Sequence, residues 1–409
     1  MIDPHPHPHP HPHPRTGHPP APAPTTPEAA PPRLHYLDKL RVLLTVLVIA
    51  HHAALTYSGL PVWYYTEVPA DGSGPVMLML MGYTQSFFMG AFFLVAGFFV
   101  PGAADRKGGR RFWRDRLVRL GIPVLFFLLL LRPLVNFHGY DTFAGYAAEA
   151  GLPELPYWMY YLFTWDPGPL WFAELLLVFS LGYLLVRRFT ARRRTTGAVS
   201  EARPAASHRV PGPIDVAVFT AGLIAVTYLW RILVPTGSYL PFVALPSPSF
   251  LPQYTALFVV GVYAYRRDWT RGLTARAGWV GLAAALAAGL VLRPVTLGFA
   301  EGRGFGHGTW ESLVVATWES VYAVGITIAL LVLMKARFNR RGRFGDFLAD
   351  HAYTVYITHP LVMVALGFAL SAAELPGLVK FAALALLSVP LCWGLAYGVR
   401  ALPYAKRVL

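Results

Sequence analysis

The sequence predicts an all-α integral membrane protein, a bundle of about ten transmembrane helices. Three observations carry that reading. Only 14% of the 409 residues are charged and 55% are hydrophobic, against about 25% charged in a typical soluble domain. The scarcity of charge is concentrated in stretches of about 20 residues, the length a helix needs to cross a hydrocarbon layer. The connections between these stretches alternate between basic and acidic, as they do in a chain that threads a membrane repeatedly.

Residues 1–33 open with "MIDPHPHPHPHPHP" and continue rich in Pro, Ala and Thr. Proline at this density blocks helix and sheet, which predicts a disordered cytoplasmic tail. His5, His7, His9, His11 and His13 offer ligands to a metal ion. Low-complexity drift is the preferred explanation of the tract, and deleting the tail is expected to leave activity intact.

The remainder, 34–409, reads as one membrane domain. Spans are expected at 38–58, 76–99, 117–137, 168–187, 214–234, 249–266, 277–297, 310–334, 352–372 and 378–400. Pro-Gly-Pro crowds the start of the fourth and Pro-Ser-Pro the start of the sixth. A barrel would show alternating segments of about ten residues instead.

The net charge of +14 follows topology. Arg106, Lys107, Arg110, Arg111, Arg114, Arg116 and Arg119 lie between spans two and three, and Arg187, Arg188, Arg192, Arg193, Arg194, Arg203 and Arg209 follow span four. Arg266, Arg267 and Arg271 follow span six, and Lys335, Arg337, Arg340, Arg341 and Arg343 follow span eight. The intervening connections carry Glu67, Asp71, Asp141, Glu149, Glu154, Asp166, Glu301 and Glu374, with Arg303 their only basic residue. By the positive-inside rule both termini are cytoplasmic, and no nucleic-acid partner is implied. The lone Cys392 cannot form an internal disulfide. The first span is too long for a cleaved signal core, so no secretory signal peptide is expected.

The first span, "LDKLRVLLTVLVIAHHAAL", places His51 and His52 near mid-membrane, where ionisable residues are costly and rarely idle. Arg41 and His52 are eleven residues apart, which sets them about 20° apart around a helix and about 16 Å apart along it. Asp38, Thr45 and Thr56 fall near the same face, making a polar seam from the cytoplasmic surface to His52. His51 lies about 100° away and reads as a packing residue. A lone buried His52 could equally be an interhelical hydrogen-bonding residue. The aligned seam favours chemistry.

In "RRFWRDRLVRLGIP", Arg116 and Arg119 are three apart and would share a helix face. Two guanidinium groups there suit phosphate, while ordinary positive-inside charge explains them as well. In span nine, "DHAYTVYITHPLVMVALGF" buries His359 beside Pro360. His359 either lines the same cavity as His52 or satisfies a carbonyl that Pro360 leaves unpaired. Glu319 in span eight is expensive unless paired or protonated, with a histidine or Arg231 as its partner. The stretch 138–167, with Tyr140, Tyr146, Tyr157, Trp158 and Trp165, would suit a sugar-stacking rim, although aromatic residues are common at membrane interfaces.

Taken in order, "RLHYLDKLRVLLTVLVIAHHAALTY", "QSFFMGAFFLVAGFF", "RKGGRRFWRDRLVRLGIP", "GPLWFAELLLVF" and "AYTVYITHPLV" resemble the recurrent blocks of the acyltransferase-3 family, particularly its OpgC-type glucan succinyltransferase branch. The arginine and histidine of that family's first helix match Arg41 and His52, and its RxxR motif matches Arg116 and Arg119. Glu174 after "GPLW" is assigned no role, and no fused esterase-like domain is expected.

The resemblance implies transfer of an acetyl, succinyl or similar group from cytoplasmic acyl-CoA to a hydroxyl of a carbohydrate, glycolipid or small metabolite. His52 would be the general base, or less readily a transient acyl carrier. Asp38 and Arg41 would organise the seam, Arg116 and Arg119 would bind the donor's phosphates, and His359 and Glu319 would orient the acceptor. No permanently bound cofactor and no metal is expected. The competing class is a proton-coupled transporter of a polar small molecule, which would also use intramembrane His, Glu and Arg. Such carriers often show internal repeats, and none is evident here.

Overall fold

The computed structural model describes residues 34–153, 155–196, 210–240, 245–300 and 302–409. The 1–33 tail lies outside these residues, as do Glu154, Arg203, Arg209 and Glu301. The described chain is helical, and its strand-like pairing is an isolated bridge between Leu240 and Leu245. Among the described residues, nine helices are long and apolar enough to cross a membrane.

The sixth expected span differs. It is divided into a 3₁₀ turn, Pro248–Phe250, and a 16-residue helix, Leu251–Arg266, which together reach about 30 Å, the thickness of a hydrocarbon core. Its proline-rich start holds the chain in the tighter turn. The helix packs along Phe88–Lys107, where a side chain at Gly97 or Gly261 would collide with the backbone of the facing helix. Small residues let membrane helices approach this closely.

The second span is also divided. Gly74–Gln85 ends at Ser86, and Phe88–Lys107 begins two residues later. The third, Gly109–Val135, contains π-helical turns at Leu117–Gly121 and Phe127–Leu131, and the seventh contains one at Ala288–Leu292. Each π turn ends two residues before a proline: Pro123, Pro133 or Pro294. A proline ring clashes with the carbonyl four residues back and cannot donate to it, so the helix widens there. Tyrosines satisfy carbonyls in these stretches. Tyr353 donates to Arg119 O at 2.5 Å, Tyr83 to Gly289 O at 2.6 Å, and Tyr161 to Leu128 O.

The first helix, His35–Thr56, sits between two apolar clusters. Leu37, Leu40, Leu44 and Val48 enter one, and Ile49, Ala53, Ala54 and Tyr57 enter the other. It also contacts Arg343–Ser371, Gly377–Ala401 and Trp310–Arg337. Burial on both sides holds the rotation of this helix, and with it the direction of His52. Leu125, Leu129, Val218, Leu290 and Leu386 are exposed on the bundle perimeter, as lipid-facing residues are.

Candidate active site

His52 and His359 come together from the first helix and the Arg343–Ser371 helix. Their ring centroids are 5.0 Å apart with the planes at 43°. His52 Nδ1 lies 2.9 Å from Val48 O and His359 Nδ1 lies 2.8 Å from Tyr356 O. A carbonyl can only accept, so each Nδ1 carries the hydrogen and each Nε2 presents a lone pair.

The orientation of His359 has a covalent origin. In a regular helix the amide of residue 360 would bond Tyr356 O. Pro360 has no N–H, and the imidazole of His359 takes its place. The two sequence readings of His359 therefore hold together: it satisfies the unpaired carbonyl and faces His52. The ring is fully buried, and Nε2 has no hydrogen-bond partner among the described residues.

His51 lies edge-on to His52, 5.7 Å between ring centroids, but its polar bond goes elsewhere. Its Nδ1 is 2.7 Å from Thr84 Oγ1, whose hydroxyl lies 2.9 Å from Leu80 O. The ring stacks on Phe88 at 5.1 Å. These contacts dock the first helix against the break between Gln85 and Phe88.

A third ring closes the pair. Trp63, from the loop 57–73, lies 4.2 Å from His52 and 6.3 Å from His359, centroid to centroid. Several bonds hold that loop. Lys380 Nζ reaches Glu67 Oε1 at 2.6 Å, and Asp71 Oδ2 accepts the Gly377 amide at 2.9 Å. Hydrogen bonds from Ser73, and the one from Gly377, hold the Asp71 carboxyl below the usual aspartate range. Tyr64 donates to Asp166 Oδ1 at 3.5 Å, and Arg132 grips Asp166 Oδ2 through Nε at 3.0 Å and Nη2 at 2.8 Å. Burial, reinforced by the Asp166 charge, pushes the Tyr64 phenol well above its ordinary value, so it stays a donor.

The seam of the first helix is present, but its threonines close on their own helix. Thr45 Oγ1 donates to Arg41 O at 2.9 Å and Thr56 Oγ1 to His52 O at 3.0 Å. Asp38 pairs with Arg41 at 3.7 Å. Arg116 lies within electrostatic reach of Arg119 and Arg41, which makes the base of the seam cationic. Arg119 sits in a π turn, where Arg116 and Arg119 diverge more than the α-helical spacing suggested. Its carbonyl is tied to Tyr353, six residues before His359 on the same helix.

Glu319 is held by an arginine of the Pro213–Leu233 helix. Its carboxylate meets Arg231 at 2.6 Å, with the Arg231 side chain fully buried over the Phe250 ring. Of the partners open from the sequence, the structure selects Arg231. Among the 138–167 aromatics, Tyr140 and Tyr157 spend their hydroxyls on Leu155 O and Pro133 O, while Tyr146 and Trp158 are exposed. Among the described residues no three His, Cys, Asp or Glu side chains converge as a metal site requires.

Sequence reasoning missed Trp63, Tyr64 and the Arg132–Asp166 pair. Arg132 carried a usable signal, since an arginine inside an apolar span needs a partner. Trp63 carried none, because loop aromatics are commonplace at membrane surfaces.

The arrangement combines a buried and a half-buried lone-pair nitrogen with cationic side chains one seam-length away. The family profile described as an acyltransferase domain matches residues 34–397. Curated relatives include the glucans biosynthesis protein C of Salmonella paratyphi B and that of Salmonella heidelberg, each 28% identical over 187 residues, 43% of this chain. The matched stretch spans 44% of the length of those relatives. No solved structure matches at a significant level. With a family match from the start of the first helix almost to the end of the last spanning helix, the chain belongs to the acyltransferase-3 family and is a multi-pass membrane protein.

Proposed function

We propose that the protein transfers an acyl group from cytoplasmic acyl-CoA to a hydroxyl of a carbohydrate or glycolipid, or of a small metabolite. The observation that carries this is the His52–His359 pair, which presents two lone-pair nitrogens side by side, one half-buried and one fully buried. The names of the curated relatives favour a glucan as acceptor. In this reading the protein lies in the cell membrane with its basic connections and both termini in the cytoplasm.

Arg116 and Arg119, with Arg41 beside them, bind the donor's phosphates through charge-assisted hydrogen bonds. Asp38 holds Arg41 in place. The acyl arm follows the seam toward His52, about 16 Å along the helix. His52 Nε2 takes the proton of the attacking hydroxyl as general base, and His359 Nε2 accepts a hydrogen bond that orients the acceptor. Glu319 is engaged by Arg231, and in this reading it supports the bundle rather than the acceptor. No permanently bound cofactor is invoked.

The test compares glycans, lipids and secreted metabolites of a deletion strain complemented with wild type or His52→Ala at matched membrane levels. Mass spectrometry should show one acyl modification lost on deletion and restored by wild type alone. Equal restoration by His52→Ala would remove the base assignment. An unchanged acyl profile in all strains would favour solute transport.

A further inference from the structure

The acyl-transfer reading leaves one requirement unmet by the residues so far assigned. Attack on a thioester carbonyl places negative charge on its oxygen, and a hydrogen-bond donor must meet that charge. His52 and His359 both present lone pairs from Nε2, so in their resting tautomers neither donates there. The guanidinium of Arg41 belongs to the far end of the seam, about 16 Å away along the helix.

Trp63 supplies the missing chemistry. Its ring contacts His52 at 4.2 Å and lies nearly parallel to His359, with 13° between the planes. Its Nε1 is buried and has no hydrogen-bond partner among the described residues. An indole N–H can only donate, and a buried one ordinarily finds an acceptor. A buried donor beside two lone-pair nitrogens, with no bond among the three, suits a guest that brings both an acceptor and a donor: a carbonyl oxygen for the indole N–H and a hydroxyl for the imidazoles.

We propose that the indole N–H of Trp63 holds the carbonyl oxygen of the transferred acyl group and stabilises the charge that develops on it. The proposal rests on the acyl-transfer reading above. The acceptor hydroxyl oxygen forms a bond to the thioester carbon, its proton passes to His52 Nε2, and the carbonyl π pair moves onto the oxygen facing Trp63. Collapse restores the C=O bond, breaks the C–S bond and releases CoA thiolate, which takes the proton back from the imidazolium. The products are the ester and free CoA.

The mounting of Trp63 suits the task. The next residue, Tyr64, is bonded to Asp166, which Arg132 holds from a nearly fully buried position. Glu67 and Asp71 tie the rest of the loop to Lys380 and Gly377. Donors fixed before the reaction need no reorganisation during it.

The experiment uses the full chain in membrane vesicles, with radiolabelled acetyl-CoA or succinyl-CoA as donor and glucose oligomers as acceptor. Trp63→Phe removes the N–H and part of the ring. Replacement of Trp63 by benzothienylalanine keeps the bicyclic shape and exchanges only N–H for sulfur. Both variants should lose about 10²–10³ in kcat, with little change in the KM for donor and with wild-type thermal stability. A benzothienylalanine enzyme that turns over like wild type overturns the proposal, whatever Trp63→Phe does, because the ring alone then suffices. A rise in KM at unchanged kcat overturns it too. Wild-type vesicles that consume neither donor remove the acyl-transfer reading itself, a result separate from either variant outcome.

Discussion

His359 points its Nε2 toward the site because Pro360 cannot bond Tyr356 O. A residue without chemistry of its own thus sets the tautomer of a buried imidazole. Pro360→Ala restores an amide donor that competes for the same carbonyl. Activity should fall about tenfold, less than the 10² that an ångström of misplacement can cost. Helix content and thermal stability should hold or rise, since an interior proline disfavours a helix. Circular dichroism together with turnover on one preparation checks both halves.

Arg116→Gln or Arg119→Gln should raise the KM for acyl-CoA with little change in kcat. A hydrogen bond to a charged group contributes about 1.5–3 kcal/mol, so each loss corresponds to about tenfold to a hundredfold in KM. Initial rates against donor concentration give the answer. A fall in kcat at constant KM would move these arginines away from donor binding.

The Arg231–Glu319 pair should behave as structure. Glu319→Ala leaves a buried guanidinium without its counter-charge and should cost about 3–5 kcal/mol. Replacing both partners together, Arg231→Met with Glu319→Leu, should recover much of that loss. Thermal melts of detergent-solubilised protein measure it. Activity per folded molecule should change little.

Asp71 anchors the loop that carries Trp63, and its carboxyl is held below the usual range by Ser73 and Gly377. A depressed carboxyl lends its stabilisation above the unfolded pKa and loses it as the pH falls through the folded one. Hydrogen exchange in 57–73 should therefore stay slow at neutral pH and quicken only below the ordinary aspartate range. Asp71→Ala should show the fast exchange at every pH.

Much of this fold was legible in the sequence because membrane helices announce themselves by length and apolarity. The sixth span is divided between a 3₁₀ turn and the helix Leu251–Arg266 because of its proline-rich start, and composition alone does not fix where the α-helix begins. The π turns followed prolines plainly visible in the sequence, yet a proline specifies a disturbance and not its form. At the site, periodicity brought Arg41 and His52 to one face. The approach of His359, the choice of Arg231 by Glu319 and the reach of Trp63 depend on helix order and loop path, which no local spacing encodes.

The step on which the proposed function turns is proton transfer from an acceptor hydroxyl to His52 during acyl-CoA-dependent transfer. Its most direct test is release of free CoA by wild-type and His52→Ala vesicles, with and without glucose oligomers, at matched protein levels. The account predicts acceptor-stimulated release by wild type and a rate about 10²–10⁴ lower for His52→Ala. Equal rates from the two proteins would contradict it.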